Sequence, residues 1–335
     1  MFPISSLFFF FTLLMGAILS ISSTSWFGAW IGLELNLMSF IPLIISKMNP
    51  YSSEAALKYF LIQALASTLI ILSSCLIMYL SNFTSMIILM ALLLKLGAAP
   101  FHFWFPQVME GLSWLQTIIL MTIQKLAPMF LISYLTNSVL VIQIIISSAM
   151  LSAYIGALGG LNVMKLRKIM AFSSINHMSW MLIALTINDM MWMTYFSFYA
   201  LISSSVVFFL HSLQSTSISD LLSPNHPTLF SALSIPFSLL SLGGLPPFTG
   251  FIPKWMMIQI MISNNMFIPL IFLLSSALIT LYFYLRMLVP YILILTPIFS
   301  FNLKSFPFFS FSWMLPFITF FNMIGLFTPL LFMIL

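Results

Sequence analysis

Residues 92–104 read Leu-Leu-Leu-Lys-Leu-Gly-Ala-Ala-Pro-Phe-His-Phe-Trp, and this stretch decides the fold because it sets a lysine and a helix break inside an apolar run. Proline removes a backbone donor and leaves a carbonyl group without its helical partner. At membrane depth such a carbonyl needs protein or water as its partner. We therefore expect Lys95 to lie beside a break in a membrane helix, where water can reach it.

A second stretch of the same kind lies at residues 242–255, Leu-Gly-Gly-Leu-Pro-Pro-Phe-Thr-Gly-Phe-Ile-Pro-Lys-Trp. The Leu-Gly-x-x-Pro pattern of residues 96–100 recurs there 146 positions later, and Lys254 is predicted to repeat the arrangement of Lys95. Interrupted helices at matching positions of inverted repeats are typical of ion and proton transporters. A chance recurrence in a chain rich in leucine and proline is the alternative.

The composition predicts an all-α, polytopic membrane protein. Only 4% of the residues are charged and 62% are hydrophobic, whereas about a quarter are charged in soluble domains. Apolar runs of about 20 residues indicate about 11 transmembrane helices. They are expected near residues 2–22, 25–45, 55–80, 84–105, 110–135, 138–160, 168–188, 191–212, 229–263, 266–290 and 313–334.

The repeat and the spans together predict three parts of the chain. Residues 1–135 and 138–290 are expected to form two inverted five-helix units with broken helices near 97–100 and 243–247, and residues 291–335 a loop and a C-terminal transmembrane helix. Loops after even-numbered spans hold five Lys or Arg residues, and loops after odd-numbered spans hold none. The positive-inside rule then places the N-terminus in the cytoplasm or matrix and the C-terminus on the opposite side.

Four ionisable residues lie near the middle of predicted spans: Glu34, Lys95, Lys125 and Lys254. An ionisable group at the bilayer centre costs roughly 2.5–3.5 kcal/mol, so such residues are usually functional. A carboxylate beside a lysine keeps it charged, and the lysine can release its proton once the carboxylate moves away. We therefore predict that Glu34 and Lys95 gate a proton hop. A static ion pair, or side chains that snorkel to the interface, is the alternative.

Two histidines extend this set. His177 follows Ser173 by four residues and Ser174 by three, so that hydroxyls and imidazole share one helix face. This arrangement suits a proton relay because histidine titrates near neutral pH. Ordinary interhelical hydrogen bonding is the alternative for His177. His102 follows the first break and is a candidate to continue the same path.

Other chemistry is largely excluded by the sequence. Residues 156–160 lack the G-x-G-x-x-G spacing of a dinucleotide site, and no Cys/His cluster has the spacing of metal ligands. The single cysteine, Cys75, cannot supply an iron–sulfur cluster. The net charge of +5 is spread over loops, so we expect no nucleic-acid partner. No cofactor is expected on this chain.

Eight parts of the sequence, in order from the second predicted span to the ninth, carry a resemblance to a known family. They are residues 30–36 (WIGLELN), 54–60 (EAALKYF), 94–104 (LKLGAAPFHFW), 124–128 (QKLAP), 159–162 (GGLN), 166–168 (LRK), 173–178 (SSINHM), and 242–247 with 253–255 (LGGLPP and PKW). Together they resemble the subunit 2 family of mitochondrial NADH dehydrogenase, respiratory complex I, in its arthropod form. That family is antiporter-like.

The resemblance implies roles for these residues. Glu34 and Lys95 would be the gating pair, Lys125 the central relay lysine, and Lys254 the end of the second half-channel. It implies a core membrane-arm subunit in the mitochondrial inner membrane, with its N-terminus in the matrix and its C-terminus in the intermembrane space. Subunits 4L and 4 and membrane lipids would be its partners, while FMN, iron–sulfur clusters and ubiquinone would belong to other subunits.

The main hypothesis is a subunit of proton-translocating NADH:ubiquinone reductase that relays protons and has no redox centre of its own. A free-standing cation/proton antiporter is one alternative. It should have a carboxylate-rich cation site at the breaks, whereas Glu34 is the one carboxylate at mid-membrane in the predicted spans. A purely structural helix bundle that anchors neighbouring subunits is the other.

Overall fold

The computed structural model describes residues 4–45, 49–76, 81–222 and 229–298, and there the expected all-α class is confirmed. One isolated antiparallel bridge joins Lys165 to Ser217. The helices are α1 (Ile4–Ser22), α2 (Trp26–Ile44), α3 (Pro50–Leu76), α4 (Ser81–Leu96), α5 (Trp104–Gly111), α6 (Trp114–Met121), α7 (Ile123–Ser133), α8 (Val139–Gly159), α9 (Leu166–Ile187), α10 (Asp189–Ser212), α11 (Ile218–Leu222), α12 (Leu229–Gly243), α13 (Phe251–Ser263) and α14 (Phe267–Ile298).

Eight helical segments of the described chain are long and apolar enough to cross a membrane. They are α1, α2, α3, α6 with α7, α8, α9, α10 and the first 27 residues of α14. Three shorter apolar helices lie beside the expected breaks. Residues 83–96 precede the first break, and residues 234–243 and 251–263 lie on either side of the second. The predicted span at 313–334 and the loop that holds Lys304 lie outside the described residues.

The first break depends on a glycine with a positive φ. Helix α4 ends where Gly97 takes a φ of +69°, a conformation that side chains with a Cβ disfavour. The Gly97 N–H donates to the carbonyl of Leu94 at 3.2 Å. The Ala98 N–H donates to Leu93 at 3.2 Å, which completes a Schellman motif. The indole of Trp104, at the start of α5, also donates to Leu94 at 3.0 Å.

The second break has the same geometry. Gly244 follows the last residue of α12 and takes a φ of +77°. Its N–H donates to the carbonyl of Ser241 at 3.0 Å, and the N–H of Leu245 donates to Leu240 at 3.4 Å. Both breaks therefore satisfy helix-end carbonyls through the backbone, so membrane depth does not leave them unpaired.

The breaks correspond at a spacing of 147 residues rather than the predicted 146. Gly97 matches Gly244, and not Gly243 as the sequence motif suggested, because Gly243 remains helical and Gly244 supplies the positive φ. Lys95 lies in the last turn of α4, before its break, whereas Lys254 lies in the first turn of α13, after its break. Each lysine therefore lies beside its break, but on the opposite side of it.

The predicted fifth span, 110–135, contains an unforeseen interruption. Helix α5 ends at Gly111, and the span itself begins with α6 at Trp114. Thr122 takes φ −114° and ψ −80°, which divides α6 from α7. Its hydroxyl donates to the carbonyl of Ile118 at 2.6 Å and so satisfies one carbonyl at the end of α6. The division places Lys125 in the first turn of α7.

Helix α9 lies at the centre of the molecule. In its most apolar 18-residue window 89% of the residues are buried, the largest share among the eight candidate spans. It packs against α8, α10, α5 and α14. Ser173, Ser174 and Asn176 are buried along it, so polar groups lie at the middle of the bundle instead of facing lipid.

Candidate functional site

The three lysines predicted to be functional are all buried. Their exposed fractions are 7% for Lys95, 2% for Lys125 and 7% for Lys254. Buried lysines of this kind need acceptors or water within the protein. Their surroundings therefore decide what they can do.

Lys95 and Lys125 line one cavity between α2, α3, α4, α5, α6 and α7. Polar side chains of Asn36, Gln63 and Gln124 line it together with the two lysines. The cavity volume open to the centre of a water molecule is about 10 Å³, which is the volume that one ordered water requires. A single water in this space has polar partners on several sides. The cavity thus joins the lysine of the first break to the lysine of α7.

Hydrogen bonds connect the cavity walls. The Tyr59 hydroxyl donates to Oε1 of Gln124 at 3.1 Å, and Nε2 of Gln124 donates to Oδ1 of Asn36 at 2.9 Å. Nε2 of Gln63 donates to the carbonyl of Lys95 at 3.2 Å. The wall is therefore a linked polar surface that joins α2, α3, α4 and α7.

Glu34 lies near this cavity but does not bond to Lys95. Its Oε2 is buried without a hydrogen-bond partner, and no ion pair joins it to Lys95 within the described residues. The two side chains still interact through their charges, as do those of Glu34 and Tyr59. Glu34 and Lys95, the expected gating pair, therefore lie close enough for their charges to interact but form no ion pair.

Lys125 reaches from the first half of the bundle to the second. Its Nζ lies 3.4 Å from the carbonyl oxygen of Ser174 on α9 and 3.4 Å from the hydroxyl of Tyr199 on α10. The same Nζ lies 5.3 Å from the ring centroid of Phe105 and 5.1 Å from that of Tyr199. Both hydrogen bonds are long, so the ammonium group is held in an aromatic pocket by weak contacts.

His177 occupies the space beyond Lys125. Its Nδ1 lies 3.0 Å from the hydroxyl of Tyr195. The imidazole interacts with the backbone of Leu242, at the end of α12, and through charge with Lys125 and Lys254. His177 therefore stands between the lysine of α7 and the second break.

Lys254 closes the second break. Its Nζ donates to the carbonyl oxygen of Gly243, the last residue of α12, at 2.8 Å. A cation at a helix C-terminus also interacts favourably with the helix dipole. Lys254 thus ties the start of α13 to the end of α12.

His102 is buried in the first break but is not brought to the cavity. Its ring centroid lies 4.1 Å from that of Phe103, and its Nδ1 has no hydrogen-bond partner among the described residues. The residues that line the cavity include Trp104 and Phe105 but not His102. Its predicted place on the path is therefore not supported by a contact.

Several polar residues of this region were not predicted. Gln63, Tyr195 and Tyr199 each lie in an apolar helix and contact one of the predicted residues, and Tyr59 contacts Gln124 beside Lys125. Gln124 directly precedes Lys125 in the sequence, and this adjacency is a signal that could have predicted it. The tyrosines carried no such signal, because a tyrosine in an apolar helix is as often a packing residue.

A separate ionic cluster lies where the end of α5 meets the start of α9. Glu110 is bound by Lys165 and by Lys168, whose Nζ lies 2.6 Å from Oε2. Burial raises the pKa of the Glu110 carboxyl, but hydrogen bonds and charges from the two lysines outweigh it and hold the pKa below its usual value. Arg167 donates to the Glu110 carbonyl at 3.1 Å. The cluster fastens α5 to the start of α9.

No group of three or more His, Cys, Asp or Glu side chains comes together as a metal site within the described ranges. The candidate site therefore consists of lysine, histidine, tyrosine and amide side chains. Groups of these types can carry protons or order water, and they have few of the ligands that divalent metals prefer.

The chain is similar to known membrane proteins. A family model described as NADH:quinone oxidoreductase/Mrp antiporter, transmembrane, matches residues 23–86 and 80–280. NADH-ubiquinone oxidoreductase chain 2 of Anopheles gambiae is 48% identical over 85% of each chain. The protein of the same name from Locusta migratoria is 40% identical over 84% of this chain and 83% of its own length.

Solved structures share the fold at low identity. A chain of respiratory complex I from Thermus thermophilus is 21% identical with a TM-score of 0.82, and the match covers 98% of this chain and 79% of that one. A chain of the Mrp complex from Dietzia sp. is 16% identical with a TM-score of 0.71, over 88% of this chain and 61% of that one. These two likenesses concern the helical architecture alone.

Proposed function

Because this chain belongs to the NADH:quinone oxidoreductase/Mrp antiporter membrane family, we propose that it is a membrane-arm subunit of respiratory complex I that relays protons across the membrane. The relatives named NADH-ubiquinone oxidoreductase chain 2 support membership of that complex. We assign it to the mitochondrial inner membrane, with the N-terminus in the matrix and the C-terminus in the intermembrane space. Its proposed neighbours are subunits 4L and 4.

The proposed architecture is about 11 transmembrane helices arranged as two inverted five-helix units. The shared Schellman geometry of the two breaks supports the repeat, since Gly97 and Gly244 end their helices in the same way. The loop charges support the orientation.

The observation that carries the proposal is the cavity shared by Lys95 and Lys125. Polar side chains and room for about one water lie between two buried lysines. A proton can therefore pass from one lysine to the other without crossing apolar packing. Two lysines buried in separate apolar pockets would not support a relay.

The proposed path runs from the gate to the second break. Glu34 sets the charge of Lys95, and the proton passes through the cavity to Lys125. From there it moves past Ser174 to His177 and on to Lys254. His102 stays a candidate for ordering water at the first break.

Energy for this movement has to come from other subunits. A proton moved against the membrane potential gains about 2.3 kcal/mol per 100 mV. We propose that NADH:ubiquinone electron transfer, with its FMN, iron–sulfur clusters and ubiquinone, takes place in neighbouring subunits. This chain would then respond to changes of charge or conformation at their interface.

A cation/proton antiporter is the second candidate function, because the fold is also similar to that of a chain of an Mrp complex. A metal cation needs several oxygen ligands, whereas Glu34 is the one carboxylate near the middle of the described spans. The relay of protons therefore fits the donor set better. A purely structural anchor would not need three buried lysines.

A double-mutant comparison tests the proposal. The complexes with Lys95→Met, Lys125→Met and both changes are reconstituted in vesicles, and the rate of NADH-driven proton translocation is measured. Since both lysines act in series, each single change is expected to lower the rate, and the double change to lower it no further than the more severe single change. Lys58→Met is the control, because Lys58 forms an exposed ion pair with Glu54 at 2.7 Å. Unchanged rates in both single variants would overturn the proposal.

A further inference from the structure

Two tyrosines on α10, Tyr195 and Tyr199, contact members of the proposed path. Tyr195 and Tyr199 are one helical turn apart, so their side chains share a face. They are almost fully buried, with exposed fractions of 2% and 4%. Buried tyrosine hydroxyls normally find a hydrogen-bond partner, and here the partners belong to the proposed path.

Tyr199 contacts the path at three points. Its hydroxyl lies 3.4 Å from Nζ of Lys125, and its side chain also interacts with that of Ser174. Its ring centroid lies 5.1 Å from that Nζ and 5.2 Å from the ring centroid of His177. Tyr199 thus contacts both Lys125 and His177.

Tyr195 has a related position. Its hydroxyl lies 3.0 Å from Nδ1 of His177, and its ring stacks on Trp180 at 6.3 Å with an interplanar angle of 8°. A hydrogen bond to one imidazole nitrogen holds the ring in one orientation. Tyr195 therefore orients the histidine that Tyr199 touches.

The chemistry of a phenol suits a place between an ammonium group and a hydroxyl. Lysine can only donate hydrogen bonds, whereas a tyrosine hydroxyl both accepts and donates. Tyr199 can accept a hydrogen bond from Lys125 and can still donate its own proton to a neighbouring acceptor. The ring adds a cation–π contact, which holds the ammonium group even when the hydroxyl is absent.

We propose that Tyr199 is the positioning residue for proton transfer at Lys125, and that its hydroxyl aligns the ammonium group with Ser174 and His177. This inference rests on the proposed relay function. Tyr199 keeps the donor at one distance from α9, and Tyr195 keeps the acceptor imidazole in one orientation. Together they would make Lys125 the point where the two halves of the bundle exchange a proton.

Substitution by phenylalanine separates the hydroxyl from the ring. Tyr199→Phe keeps the aromatic packing and the cation–π contact, and Tyr199→Leu removes both. Tyr154→Phe is the matched control, because the half-buried Tyr154 accepts a hydrogen bond from Ser275 at 3.3 Å between α8 and α14. Each variant is assembled in the complex and reconstituted, and its proton translocation is measured in H₂O and in D₂O.

The expected result for Tyr199→Phe is a translocation rate about tenfold lower, the effect of one lost hydrogen bond to a charged group. The solvent isotope effect should rise, because the proton step becomes slower, while the Tyr154→Phe complex behaves like the wild type. A Tyr199→Phe complex with wild-type rate and isotope effect, beside a defective Tyr199→Leu complex, would reduce Tyr199 to a packing residue and overturn the inference. If Lys125→Met also leaves translocation unchanged, the relay function itself fails.

Discussion

Lys254 donates a hydrogen bond from Nζ to the carbonyl oxygen of Gly243 at 2.8 Å, so the lysine that follows the second break caps the helix that precedes it. The side chain has a structural partner in this state. For Lys254 to take part in proton transfer, that hydrogen bond has to be weakened or shared with water. Stability and proton transfer are therefore coupled at this lysine.

Replacement of Lys254 by methionine should destabilise the second break. The Gly243 carbonyl would lose a charged donor, and a hydrogen bond of that kind contributes about 1.5–3 kcal/mol. We expect a lower thermal unfolding temperature for the purified complex with Lys254→Met. Lys58→Met, which removes an exposed ion pair, should change it little. Equal unfolding temperatures for both variants would show that the capping contact is not important.

Alanine at the two break glycines should be far more damaging than alanine at their neighbour. Gly97 and Gly244 have φ values of +69° and +77°, and residues in this region cost of order 1–3 kcal/mol when they carry a Cβ. A Cβ on Gly244 would also lie 2.8 Å from Nζ of Lys254. Gly97→Ala and Gly244→Ala should therefore reduce the amount of assembled complex.

Gly243→Ala is the control for these two changes. Its Cβ would meet the nearest atom, in Tyr284, at 3.6 Å, which is ordinary van der Waals contact. The amount of assembled complex, measured on native gels, should stay near that of the wild type. Should Gly243→Ala be the damaging change and Gly244→Ala the harmless one, the spacing of 147 residues would be wrong.

Glu34→Gln should interrupt coupling while the complex still assembles. The buried Oε2 has no hydrogen-bond partner, so the amide breaks none there, but it cannot supply the negative charge that acts on Lys95. We expect NADH-driven proton translocation to fall at least severalfold. The comparison is Glu54→Gln, whose carboxylate pairs with Lys58 at the surface. Equal translocation rates in both variants would speak against a gate at Glu34.

The cluster at Glu110 predicts a dependence of stability on pH. The pKa of Glu110 is lower in the folded protein, so its contribution is complete above the unfolded pKa and is lost as pH falls through the folded pKa. The unfolding temperature of the wild-type complex should exceed that of Glu110→Gln at pH 7, and the gap should narrow as the pH falls below about 4.5. A gap that stays constant over this range would contradict the assignment.

The breaks and the buried charges were predictable because both signals are local. A glycine followed closely by proline in an apolar run favours a helix break, and a lysine such as Lys125 in an apolar run is costly in any membrane fold. The length of an apolar run likewise indicated α8 and α9 without knowledge of their neighbours.

The partners of those residues were not predictable, because they depend on how helices pack. Tyr59 and Gln124 meet across 65 positions of sequence, and Lys125 and Tyr199 across 74. The offset of the breaks was missed for another reason. Residues 243 and 244 are both glycine, and only the backbone shows which of them adopts the positive φ.

The central claim is that protons pass through Lys125, and the most direct test is the number of protons translocated per NADH oxidised by the assembled Lys125→Met complex. Methionine keeps the apolar length of the side chain but cannot bind a proton. The account predicts a lower ratio, or a parallel loss of NADH oxidation and translocation, with the complex intact on native gels. A fully assembled Lys125→Met complex with wild-type turnover and a wild-type ratio would contradict it.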